Sequence, residues 1–138
     1  MGFVIREEQL RRLDKVVQQI QTAAIWEYSS LEGPSALPEQ AGVYVVFNKF
    51  TQEALYVGKT LNFRQALYRQ QLMGTLGLKK YLLEDPKEEA VSDMNRAKDY
   101  VRNCCSFFYL QESDVKIRGN LEGLVRFLTN CRYVNQEH

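Results

Sequence analysis

Histidine is almost missing from this chain of 138 residues: the only one is His138, the last residue. Cysteine is nearly as scarce, with three residues, of which Cys104 and Cys105 are adjacent and Cys131 stands apart. An odd number with two neighbours gives no disulfide framework. Adjacent thiols chelate poorly and no C-x-x-C spacing occurs, so a zinc site from these cysteines and His138 is not expected. No apolar run approaches the roughly 18–20 residues of a membrane span. The apolar start, Met1 to Ile5, breaks off at Arg6-Glu7-Glu8 and is too short for a secretory signal, so a cytoplasmic protein with reduced thiols is expected. Net charge is also lacking: 18 basic against 17 acidic residues leave +1. That excludes bulk electrostatic coating of nucleic acid or anionic membrane, though not a local basic patch.

What is present is the composition of one folded domain, 45% hydrophobic and 25% charged. Leu10, Leu13, Val17, Ile20 and Ala24 recur at spacings of three and four, which predicts an amphipathic helix over Arg6 to Ala24. Such a helix packs on the domain or serves as a surface for a protein partner or a second copy. Residues 29–38 hold two of the three prolines and read as an irregular connector. We therefore divide the chain into an N-terminal helix and connector, 1–40, and a domain, 41–138.

Gly42 to Asn48 and Ala54 to Gly58 are dense in β-branched and aromatic residues and read as a hairpin. Side chains alternate faces along a strand, so loop length decides whether Tyr44 and Tyr56 share a face. A three- or five-residue loop sets Tyr44 directly opposite Tyr56, whereas an even loop puts them on opposite faces. Leu61 to Met73 is helical in composition, with Asn62 near its start. A short turn over Leu78 to Leu83 follows, then a helix opened by Pro86 and running through Val101. Cys105 to Leu110 is a strand candidate. A last amphipathic helix after Gly119-Asn120 carries Leu121, Leu124, Val125 and Leu128. The fold class is α+β.

Gly42-Val43-Tyr44, eleven intervening residues, then Tyr56-Val57-Gly58-Lys59 resemble the signature of the GIY-YIG nuclease family. The resemblance covers about two-thirds of the chain and implies a small three-stranded antiparallel sheet flanked by helices, here with an extra N-terminal helix. It implies DNA phosphodiester hydrolysis with one divalent cation, Mg²⁺ or Mn²⁺. Tyr44 would activate or position the attacking water, Tyr56 and Lys59 would orient the scissile phosphate, and Glu122 would hold the metal. Asn135, 13 residues after Glu122, matches the closing asparagine that braces the site.

The sequence departs from the family at the catalytic arginine, which falls ten residues after the second motif tyrosine, where this chain has Ala66. Gln70 replaces the histidine or tyrosine four positions on. In α-helical geometry Arg69 lies one turn along on the same side as Ala66 and is the candidate substitute, whereas Arg64 faces elsewhere. An arginine restored at position 66 is expected to raise cleavage. From Lys59 to Lys80 the charges are all basic (Lys59, Arg64, Arg69, Lys79 and Lys80), making this stretch the candidate nucleic-acid contact. Two readings follow: a weak metal-dependent endonuclease, or a retired relative that still binds nucleic acid. A third, of another class, is a non-catalytic protein-interaction module on the same fold.

Overall fold

The computed structural model describes residues 1–134, so Asn135 and His138 lie outside the described residues. Helix α1 spans Glu7–Thr22 and is followed by a two-residue strand β1, Trp26–Glu27. Strands β2, Gly42–Asn48, and β3, Ala54–Thr60, form the expected hairpin. A π-helix, Arg64–Leu72, then α2, Leu78–Glu84, and α3, Met94–Cys104, lead to strand β4, Cys105–Gln111. Helix α4, Val115–Thr129, follows.

The sheet has four antiparallel strands in the order β1-β4-β2-β3, one more than expected. The extra strand comes from the start of the connector region: Trp26 pairs with Phe107 and its ring stacks on that of Phe107. Tyr28 and Leu37 are buried beside it, so this segment belongs to the core.

The helices also begin elsewhere than composition indicates. Helix α3 starts at Met94, not Pro86, because Asp93 caps it by accepting from Arg96 N at 2.9 Å. Helix α4 starts before Gly119: Asp114 accepts from Ile117 N at 2.9 Å, and Gly119-Asn120 sit inside the helix. At both starts an aspartate does the capping, while the nearby proline or glycine, a usual boundary signal, does not mark the boundary.

One sheet face carries Tyr44, Val46 and Phe107, covered by the π-helix, α2 and α3 through Phe63, Leu67, Leu78, Leu82 and Val101. The other carries Val43, Val45, Val57 and Phe108, covered by Leu121 and Val125 of α4 and by Val16, Ile20 and Ala23 at the end of α1. Each large apolar side chain so buried contributes about 1.5–3 kcal/mol. Leu10 and Leu13, on the same stripe of α1, remain exposed, so only the last turns of that helix pack.

Candidate active site

The hairpin turn decides where the motif tyrosines point. Asn48 N donates to Glu53 O at 2.9 Å, closing an even loop of four residues, while Asn48 Oδ1 accepts from Phe50 N and Thr51 N. On a regular ladder that loop would separate the tyrosines. A β-bulge restores them: Phe47 pairs with Ala54 but Val46 with Tyr56, leaving Leu55 as the extra residue. Tyr44 therefore faces Gly58, not Tyr56, and the two tyrosines are diagonal neighbours on one face with rings 6.2 Å apart. Gly58 is needed for this, because a Cβ there would lie 2.5 Å from the Tyr44 hydroxyl.

Helix α4, packed on the other sheet face through Leu121 and Val125, adds charge. Glu122 acts electrostatically on both Tyr44 and Tyr56. Arg126, one turn later, lies 3.5 Å from the Glu122 carboxylate, donates to the edge carbonyl of Val57 at 3.1 Å, and acts on Tyr56. Its Nε is buried without a hydrogen-bond partner among the described residues. Lys59 is exposed on the opposite face of β3, its ammonium beside Gly119, one turn before Glu122.

Burial pushes the Tyr44 phenol well above the usual tyrosine value; Tyr56 and Glu122 push it further, against the Gln71 amide that donates to it. Burial likewise raises Tyr56, with Tyr81 adding and Arg126 opposing. Both phenols are therefore neutral at pH 7. A neutral phenol orients water through its oxygen lone pair and its proton; it does not take a proton unaided.

Glu122 raises both tyrosines, and no group of three or more His, Cys, Asp or Glu among the described residues could hold a metal. A cage of protein ligands is thus not available there. A lone carboxylate, here 17% exposed, does fit a hard cation that keeps several waters and takes further oxygens from a phosphate.

No family model and no curated protein matches the chain. Among solved structures, the chain is similar to the GIY-YIG N-terminal endonuclease domain of UvrC from Thermotoga maritima. The magnesium-bound form of that domain is 19% identical, with a TM-score of 0.40, over 88% of this chain and 98% of that one. A point mutant bound to its catalytic divalent cation gives 18%, 0.41, 89% and 98%.

The basic stretch does not form one surface. Lys79 is fully buried, its ammonium donating to the carbonyls of Gln71, Leu72 (2.9 Å) and Gly74 (2.7 Å), and is withdrawn from any nucleic-acid contact. Arg64 is tied to the connector by Leu37 O at 3.0 Å and Glu39 at 2.7 Å. Lys59, Arg69 and Lys80 are exposed. Arg69 does not take the side of Ala66, because the segment is a π-helix with i→i−5 bonding, as in Met73 N to Tyr68 O at 3.0 Å. Its buried positions are Ala66, Leu67, Gln71 and Leu72, five apart in pairs. The residue one turn on from Ala66 is therefore Gln71, whose Nε2 donates to the Tyr44 hydroxyl at 3.1 Å.

Sequence reasoning missed Gln71, Arg126 and Tyr81, whose ring lies 6.1 Å from Tyr56. Arg126 was legible, since i,i+4 from Glu122 on a helix makes them neighbours. Gln71 carried no signal under an α-helical period.

Proposed function

We propose that this chain is a divergent GIY-YIG-like domain that binds the DNA phosphate backbone at the Tyr44–Tyr56–Glu122 centre and hydrolyses it slowly. The observation that carries the reading is convergence: the Tyr44 ring of β2 lies 6.2 Å from that of Tyr56 on β3, and Glu122 of α4, 78 positions after Tyr44, raises both phenols. Tyr44 accepts a hydrogen bond from the attacking water. Tyr56 orients the phosphate and Arg126 adds positive charge beside it, whereas Lys59 projects from the other face of β3 beside Gly119. Glu122 would hold Mg²⁺ or Mn²⁺, which when bound supplies Lewis-acid stabilisation of the leaving oxygen. Asn135 keeps the bracing role that the resemblance to the family implies.

Slowness follows from the π-helix, which turns Ala66 into the core at 2% exposure and Arg69 to solvent, so that this segment offers the transition state no arginine. A missing donor of that kind costs about 10²–10³ in rate. Lys59, Arg69 and Lys80 are the exposed basic side chains of the 59–80 stretch and do not form one surface, so the slope of log affinity against log salt should be no steeper than about −3.

The test is nicking of supercoiled plasmid with Mg²⁺ or Mn²⁺, alongside Glu122→Gln. Nicking abolished by the substitution is expected; nicking that survives it marks a contaminating nuclease and removes the reading. Salt-dependent binding without any nicking would favour the retired form. One observation favours a protein-interaction role as well: Phe3, Val4, Ile5, Leu10 and Leu13 lie exposed along the outer part of α1 and its approach. Sedimentation over a concentration series checks self-association through that surface.

A further inference from the structure

Gln71 is 2% exposed and both ends of its amide are committed. Nε2 donates to the Tyr44 hydroxyl at 3.1 Å, and Oε1 accepts from Leu78 N at 3.0 Å. The second bond fixes which end meets the phenol, because a backbone N–H can only donate. An amide nitrogen offers no lone pair, so the phenol oxygen is the acceptor and its own proton must leave in another direction. Its neighbour on that sheet face is Tyr56, whose ring lies 6.2 Å from that of Tyr44.

We propose that Gln71 is a positioning residue that sets the hydrogen-bond polarity of Tyr44, holding its oxygen as acceptor and turning its proton toward Tyr56. The inference rests on the reading of Tyr44 as the residue that orients water. The fold is built around this amide from three directions. The π-helical period brings position 71 to the buried side. Gly77, at φ +73°, lets the backbone pass so close that a Cβ there would lie 2.5 Å from Gln71 Nε2. Lys79 clamps the carbonyl of Gln71 itself together with those of Leu72 and Gly74. With one lone pair engaged by Gln71 and the proton sent to Tyr56, the Tyr44 oxygen has one lone pair left for a water.

Gln71→Glu separates this role from a structural one. As a carboxylate, at a pH where it is ionised, it keeps an acceptor for Leu78 N and presents only oxygen to Tyr44, so the phenol must donate instead. With ¹³Cζ-labelled tyrosine and Tyr44→Phe to assign the resonance, the Tyr44 signal should shift in folded Gln71→Glu while those of Tyr100 and Tyr133 stay. Gly77→Ala, which pushes on the amide from outside, should shift the same resonance, and it serves if Gln71→Glu does not fold. In the wild-type chain the Gln71 side-chain amide protons should exchange slowly with solvent. Nicking by Gln71→Glu should fall about 10–100-fold at unchanged DNA affinity, the range for partners that orient a reacting group. An unshifted Tyr44 resonance in a folded variant, fast exchange of the Gln71 amide, or wild-type nicking by Gln71→Glu would each overturn the proposal. If the wild-type chain does not nick DNA, the hydrolytic reading fails, while the resonance and exchange measurements still decide the polarity.

Discussion

Lys79→Met should destabilise the fold by about 3 kcal/mol at pH 7. The ammonium makes three charge-assisted hydrogen bonds to carbonyls at the end of the π-helix, each contributing about 1.5–3 kcal/mol. Against them stands the cost of burying the charge beside Lys98 and Arg102, which lowers the lysine from 10.5 to about 8. That cost offsets part of the gain at pH 7, and the lysine nitrogen remains the donor to the three carbonyls. Methionine fills similar space and leaves three buried acceptors without donors. Urea unfolding of wild type and variant measures the difference directly. The pH dependence has a definite sign: the folded value lies below the unfolded one, so between about pH 8 and 10.5 the unfolded chain binds more protons. Wild type should therefore gain stability relative to Lys79→Met as pH rises through that window. A loss below about 1 kcal/mol at pH 7 would refute the clamp on the carbonyls, and a difference that shrinks across the window would refute the burial cost on its charge.

Gly58→Ala should displace Tyr44, since the new methyl falls 2.5 Å from its hydroxyl, and cost about 1–3 kcal/mol in thermal or urea unfolding. Ala66→Arg should fail to restore cleavage and should unfold the domain by more than about 3 kcal/mol, because position 66 is core rather than cleft; a folded, faster-cutting variant in the nicking assay would contradict this. Arg132 binds Glu53, Glu88 at 2.6 Å and Asp85 at 3.5 Å, so Arg132→Met should cost about 2 kcal/mol at pH 7. Hydrogen bonds from Arg132 hold Glu53 below the usual carboxylate range, and those from Tyr133 and Lys87 N do so for Asp85. Their stabilisation is present above the unfolded values and lost as pH falls through the folded ones, so acid titration of Arg132→Met should show a flatter loss.

The hairpin was legible and its register was not. Alternating apolar runs located β2 and β3, and the shared face of Tyr44 and Tyr56 follows the motif. Parity counting from the loop gives the wrong pairing because two irregularities cancel: an even turn closed by Asn48 and a bulge at Leu55. Neither leaves a mark in composition, since any residue can be the extra one in a bulge. The segment after α4 then covers β3 beside that bulge, through Arg132 N to Ala54 O at 3.0 Å and Tyr133 N to Leu55 O at 3.1 Å. Pairing of that kind depends on chain distant in sequence, which local patterns do not encode.

The helix after β3 shows the same limit in a form that bears on chemistry. An α-helical wheel ranks Arg69 as the neighbour of Ala66 and gives Gln71 no role. A π-helix has one more residue per hydrogen-bonded turn, and that single change exchanges them: Gln71 enters the core against Tyr44 and Arg69 goes to solvent. Buried carbonyls at the end of such a helix need a donor, and Lys79 supplies it from eight residues beyond Gln71. A lysine that composition assigns to a basic surface is thus consumed in holding the segment that positions a phenol. The charge available for DNA and the geometry available for Tyr44 are therefore set by one backbone choice, and variants at Lys79 and Gln71 should be coupled. In a double-mutant cycle on unfolding free energy, Lys79→Met and Gln71→Met should fall short of additivity by about 1 kcal/mol or more. Simple additivity would mean that clamp and amide act separately.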